Sequence, residues 1–171
     1  RNSNEKVSAS WAISHGLAPD GGLYVPESLP QFSLDDIINL GKSDYRGRAF
    51  GIIKPFLDEF TEDELKAMIL RAYGDNFDSA DTAPVLFLDE KTAVLELWHG
   101  PTCAFKDMAL QMLPHLLTAS LKKCGERRKV CILVATSGDT GKAALEGFAE
   151  VENTKILVFY PHNGVSDVQQ L

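Results

Sequence analysis

Two short segments hold the residues whose types and spacing could do chemistry. One is His99-Gly100-Pro101-Thr102-Cys103-Ala104-Phe105-Lys106-Asp107; the other is Thr136-Ser137-Gly138-Asp139-Thr140-Gly141. Each stands between a predicted strand and a predicted helix. In an open parallel sheet, ligands bind beyond the carboxyl ends of the strands, where such segments lie. Lys106 falls in the first turn of its predicted helix, where the positive end of the helix dipole opposes a cation by ~0.3–1 kcal/mol. That placement favours the neutral amine, as burial would. A neutral amine is what a lysine needs to condense with a carbonyl group. The plainer reading, a solvent-exposed lysine that tolerates a poor position, stays open. Asp107 suits the dipole and can serve as a cap.

The second segment offers backbone N–H groups, small hydroxyls and one carboxylate. A nest of this kind at a helix N-terminus suits an anion, a phosphate or an α-carboxylate. Its plainer reading is a glycine-rich turn without a ligand. Gly141-Lys142 resembles the end of a P-loop, but Thr136 stands where the first glycine is needed and Ala143 where Ser or Thr is needed. Asp139 would also repel a triphosphate, so the segment argues against nucleotide hydrolysis. The four histidines, 15, 99, 115 and 162, show no paired spacing, which argues against zinc. His99 reads best as a satisfied structural histidine beside the lysine segment. Ser137 has no GxSxG setting, which argues against a serine-hydrolase nucleophile.

The elements that must position these segments follow from pattern. Over 8–80 the periodicity is mostly helical. Gly16 suits a helix C′ position, and Pro19-Asp20-Gly21-Gly22 is a turn. Ser33 with Asp36, and Thr61 with Glu64, form capping-box pairs. The first opens a helix with Leu34, Ile37, Ile38 and Leu40 on one face, the second a helix with Leu65, Met68, Ile69 and Ala72 on one face. Another helix is predicted over 44–53. Residues 75–84 are a polar connection. Then 84–88 and 92–98 read as a hairpin turning at Asp89-Glu90-Lys91. A long helix is predicted over 105–123, kinked by Pro114. The apolar runs 130–135 and 156–160 read as strands buried on both faces, with a helix over 142–150 between them. Alternating strands and helices predict an α/β class with an open, mainly parallel sheet. The expected organisation is a helical module over 1–80 and the first part of an α/β body over 81–171.

Composition sets the outer limits. With 171 residues the chain holds one domain or two small ones, at roughly 150 residues per domain. It is 44% hydrophobic and 24% charged, ordinary for a globular protein. No apolar run approaches the ~20 residues of a membrane span. The net charge of −7 disfavours a nucleic-acid partner. Cys103, Cys124 and Cys131 are odd in number and lack CxxC spacing, which points to a reducing, cytoplasmic setting, with Cys131 as a buried thiol. No signal peptide is visible, and Arg1 suggests that the native start lies upstream.

At both segments the chain resembles the threonine synthase family, pyridoxal-phosphate enzymes of the tryptophan-synthase-β fold type. Gly16-Leu17-Ala18-Pro19-Asp20-Gly21-Gly22-Leu23-Tyr24-Val25-Pro26 is similar to the family's N-terminal signature. The lysine and glycine segments are similar to its cofactor-lysine motif and its substrate loop, and Tyr160-Pro161-His162-Asn163-Gly164-Val165-Ser166 also fits. Cys103 stands where the family often has a larger apolar residue. The resemblance implies that Lys106 carries pyridoxal 5'-phosphate and shuttles protons, with Phe105 and Asp107 fixing its position. It implies Asp139 near the cofactor's 3-hydroxyl. Ser137, Gly138, Thr140 and Gly141 would hold the substrate carboxylate. The implied reaction turns O-phospho-L-homoserine and water into L-threonine and phosphate, with no metal and no membrane or nucleic-acid partner. Self-association is left open. The family's phosphate cradle and pyridine-nitrogen partner lie downstream of Leu171. An N-terminal fragment with an incomplete site is therefore expected. A threonine-synthase-like phospholyase and a catalytically silent binding or assembly domain are the competing readings.

Overall fold

A computed structural model describes residues 5–136 and 138–167. The fold is mixed α/β, with helices and a parallel strand pair, and its contacts divide it into two compact units. One takes the chain up to Leu70 together with His115–Arg127; the other takes Arg71–Pro114 and the chain from Arg128 onward.

The first unit is helical. Helix α1 is Ala9–His15, capped by Ser8, whose hydroxyl accepts from the Trp11 amide, and closed by Gly16 at φ 71°. Helix α2, Leu34–Gly41, opens on the Ser33–Asp36 capping box. Its stripe of Leu34, Ile37 and Ile38 stays exposed in this chain. Helix α3 is Tyr45–Ile53, capped by Asp44, and a 3-10 turn over Lys54–Phe56 follows it. Helix α4, Glu62–Ala72, opens on the reciprocal Thr61–Glu64 pair. Its predicted face, Leu65, Met68, Ile69 and Ala72, is buried. Phe60 is fully enclosed. Lys123 lies over its ring at 4.8 Å and bonds Glu64 at 3.2 Å, so a snorkelling lysine covers the apolar group while its charge stays paired.

The second unit carries the strands. β1, Val85–Phe87, pairs antiparallel with β2, Ala93–Leu95, as the hairpin pattern predicts. The Asp89 carboxylate accepts from the amides of Lys91 and Thr92 and closes the turn. β3, Val130–Ala135, pairs parallel with β4, Thr154–Phe159, in the register Val130↔Thr154 to Ala135↔Phe159. Helix α7, Asp139–Gly147, connects them and packs on both strands and on α5, Asp107–Leu110.

Three expectations are corrected here. The strands alternate between covered and exposed residues instead of being buried on both faces. Leu133, Leu157 and Phe159 are 66%, 52% and 61% exposed, and Cys131 shares that open face. A continuous apolar run reports the capacity for two-sided burial, and in this chain one side is open. The long helix is two helices, α5 over Asp107–Leu110 and α6 over Leu113–Lys123. Pro114 lies in the first turn of α6, where a missing N–H costs no helical bond, so it marks a helix start and not a kink. Helix α7 begins at Asp139, three residues before the predicted boundary.

Close packing of α7 depends on a missing side chain. A Cβ on Gly147 would lie 2.2 Å from the Leu110 carbonyl oxygen and 3.0 Å from its carbon. Backbone cannot swing aside as a side chain can. Gly147→Ala should therefore destabilise the protein by about 1–3 kcal/mol. The expected readout is a lower urea midpoint at unchanged m-value; an unchanged midpoint would refute this packing.

Candidate functional site

The candidate site is built within the second unit from the two segments at the strand-to-helix turns. In the first, Cys103 takes φ 56°, and its amide donates to the Gly100 carbonyl at 3.0 Å. This reversal brings Thr102 back towards the start of α5. There the Asp107 carboxylate, 0% exposed, accepts from the Thr102 amide at 2.8 Å and from the Thr102 hydroxyl at 2.7 Å. A buried charge is tolerated only when paired or hydrogen-bonded, and these two bonds form a clasp across the segment. Gly100 makes room for it: a Cβ there would lie 2.6 Å from both Cβ and Oδ2 of Asp107. Asp107 thus does more than cap a helix; it closes the loop that precedes it.

Lys106 is the N-cap residue of α5, not a first-turn residue as predicted. Helix α5 has four residues, so little dipole accumulates there and the argument from the helix end loses force. The side chain is half-buried, with its amine over the Phe105 ring at 4.7 Å. What fixes Lys106 is backbone: its carbonyl accepts from the amides of Ala109 and Leu110, and Asp107 beside it is clasped.

In the second segment, Thr136 is the organiser. Its hydroxyl accepts from the amides of Gly138 and Gly141, both at 3.2 Å. A Cβ on Gly141 would lie 2.2 Å from the Thr136 methyl and 3.0 Å from Val158, so glycine is required for this close turn. Asp139 and Thr140 are exposed in the first turn of α7. Ser137 lies outside the described residues.

The two segments meet at a cavity of about 450 Å³. Pro101 and Thr102 line it from the first; Thr136, Gly138, Gly141 and Lys142 line it from the second, with Tyr160 at the end of β4. Gly138 and Gly141 are therefore at the cavity, while Lys106, Phe105, Asp107, Asp139 and Thr140 are not among its lining residues. Thr102, Thr136 and Lys142 are polar lining residues to which motif reading gave no role. Hydroxyls flanking glycines were the available signal for the two threonines. Lys106 supplies the primary amine that an aldehyde needs, outside the cavity lining, whereas the Gly138 and Gly141 amides and the Thr102 hydroxyl at the cavity already donate to Thr136 and Asp107. Among the described residues, no group of His, Cys, Asp and Glu could hold a metal ion, and no helix is long and apolar enough to cross a membrane.

His99, at the head of the first segment, is held by two acids. Its Nε2 is 2.8 Å from the Glu96 carboxylate, and its Nδ1 contacts the Asp78 carboxylate. Asp78 also donates its amide to the His99 carbonyl at 3.0 Å. Glu96 first, and Asp78 second, raise the imidazole above its ordinary value of 6.5 by hydrogen bonding to the charged form. The polar connection after α4 is thus part of the support. Beyond Asp78, Asn76 bonds the Gln111 side chain at 2.9 Å and Tyr73 donates to the Met108 carbonyl at 2.8 Å.

The family described as "Threonine synthase N terminus" matches residues 1–73. Threonine synthase from Pseudomonas aeruginosa is 47% identical over 156 residues, 91% of this chain and 33% of the relative. Human threonine synthase-like 1 is 40% identical over 97% of this chain and 23% of its own length. The crystal structure of a PLP-bound threonine synthase from Brucella melitensis superposes with a TM-score of 0.89 at 40% identity, over 96% of this chain and 35% of that one. The chain spans about a third of the threonine synthases it matches. In sequence and in fold, it resembles the N-terminal portion of the threonine synthases over nearly its whole length.

Proposed function

We propose that this chain supplies the lysine-bearing part of a PLP-dependent carbon–oxygen lyase of the threonine synthase type, acting on O-phospho-L-homoserine. The observation that carries the reading is Lys106, a primary amine on a loop clasped by a buried aspartate, in a chain 47% identical to a threonine synthase across 91% of its length. PLP, when bound, supplies the electron sink. Lys106 would hold it through Nζ and carry protons at the substrate's α and β carbons. Phe105 and Asp107 orient that lysine. Ser137, Gly138, Thr140 and Gly141 are proposed for the substrate carboxylate, and Asp139 for the cofactor's ring hydroxyl. The net change is loss of phosphate from the γ carbon and addition of the water oxygen at the β carbon. A chain of net charge −7 must draw a phosphorylated substrate by local donors that outweigh the overall field. The proposed setting is the cytoplasm.

Product analysis on the protein as the cell makes it tests this reading. Incubation with phosphohomoserine should release phosphate and threonine in equal amounts. Phosphate without threonine, or turnover of phosphothreonine instead, would favour a threonine-synthase-like phospholyase. The match to human threonine synthase-like 1 is the observation that keeps this second reading in view. The 171-residue chain alone should grip the cofactor weakly and not turn over, because it spans a third of the relatives. Tight, stoichiometric borohydride-trapped labelling of the isolated chain at Lys106 would overturn that expectation.

A further inference from the structure

We propose that His99, held as an imidazolium between Asp78 and Glu96, is the positioning residue of the Lys106 loop and makes the order of that loop depend on proton concentration. The argument begins with donors and acceptors. An ionised carboxylate only accepts, whereas a neutral imidazole has one N–H and one acceptor nitrogen. Here each ring nitrogen faces a carboxylate, Glu96 at Nε2 and Asp78 at Nδ1. Both bonds form together only when both nitrogens carry hydrogen. A neutral His99 would turn one lone pair against a carboxylate and lose that contact. Asp78 and Glu96 are the charged groups that face the ring, and the uncharged Trp98 ring lies tilted against it at 5.8 Å.

The two contacts are unequal. The Glu96 side chain is 20% exposed and that of Asp78 is 77% exposed, while His99 itself is 17% exposed. Water can replace His99 at Asp78 more readily than at Glu96, so the Asp78 contact is the one released. Asp78 belongs to the connection after α4, which also holds α5 and its C-cap through the bonds of Tyr73 to Met108 and of Asn76 to Gln111. Releasing the Asp78 carboxylate leaves only its amide bond to the His99 carbonyl at this point and so loosens the head of the loop, directly before Gly100, whose carbonyl receives the Cys103 amide, and before Thr102, which Asp107 clasps.

The sign follows from the raised His99 value. The contribution is fully present below the ordinary 6.5 and is lost as pH rises through the raised value. The inference rests on the proposed function only in treating Lys106 as the reactive amine; the latch itself is testable without cofactor or substrate.

Amide hydrogen exchange by NMR is the test, with protection factors corrected for intrinsic rates. In the wild-type chain, the amides of Thr102 and Cys103 should be at least ~10-fold better protected at pH 6 than at pH 9, while the β3–β4 ladder changes little. That ratio corresponds to about 1.4 kcal/mol. In His99→Gln, which cannot donate from two ring positions, both amides should show the lower protection at either pH. Asp78→Asn should lower their pH 6 protection in the same way. Should a variant fail to fold, the wild-type pH series and the nitrogen shifts of His99 still decide. Protection of Thr102 and Cys103 that is independent of pH, or a His99 that is neutral at pH 6, would overturn the proposal. Exchange needs no turnover, so its failure would leave the enzymatic reading standing, and loss of that reading would leave the latch intact.

Discussion

Lys106→Ala should abolish turnover in the protein as the cell makes it while leaving the fold intact. A positioned acid–base group alone contributes about 10²–10⁴-fold, and this lysine is also the proposed anchor of the cofactor, so the loss should reach at least that range. The fold should not suffer, because the bonds that hold residue 106 are backbone bonds to Ala109 and Leu110. A stability change within about 0.5 kcal/mol is expected. Lys106→Arg sharpens the test. A guanidinium can still lie over Phe105 and keeps the positive charge, but it cannot condense with an aldehyde at neutral pH. If charge over the ring were the role, arginine would preserve activity. If the amine is the role, arginine should be as inactive as alanine. Phosphate release under saturating phosphohomoserine is the measurement, and unchanged turnover in either variant would remove the assignment.

Asp107→Ala should give the largest stability loss among the predicted variants, about 3 kcal/mol. The substitution removes both carboxylate acceptors of Thr102 and leaves its amide and hydroxyl, half-buried at the cavity wall, without them. Removing a hydrogen-bonding partner costs ~1–3 kcal/mol when the group left behind stays buried, at the upper end when the lost partner is charged. Asp107→Asn keeps the shape and one acceptor, so it should recover part of the loss. Gly100→Ala attacks the same clasp from the other side, since its Cβ would meet Asp107 at 2.6 Å. Urea unfolding at constant m-value resolves the three variants. Asp107→Ala within 0.5 kcal/mol of wild type would show that the clasp carries no weight.

Much of the fold was legible from local pattern. The capping pairs Ser33–Asp36 and Thr61–Glu64, the cap at Gly16 and the hairpin turn at Asp89 stand where the residue types placed them. These features involve groups within a few residues of one another, and sequence order alone brings such groups together. The buried face of α4 was legible because period and partner agree. The exposed stripe of α2 has the same period, yet it is uncovered in this chain. Periodicity identifies a face suited to burial and carries no information about what covers it. The open side of β3 and β4, with Cys131 on it, illustrates the same limit.

The candidate site divides along the same line. Sequence alone determined that Lys106 and the Thr136–Gly141 segment each stand between a strand and a helix; an amine chemistry beside an anion site is the expectation those residue types raise. Tertiary structure decided that Asp107 clasps Thr102, that Thr136 takes up the Gly138 and Gly141 amides, and that Glu96 and Asp78 hold His99. It also decided that Thr102 and Gly138 share a cavity while Lys106 stays outside its lining. The physical reason is reach. A cap or a turn is a bond between near neighbours in the chain, so composition and spacing describe it fully. The His99–Asp78 contact spans 21 residues, and the meeting of Thr102 with Thr136 requires β3 to be laid down between them. Contacts of that separation depend on how whole elements pack, and no local pattern of residues specifies that.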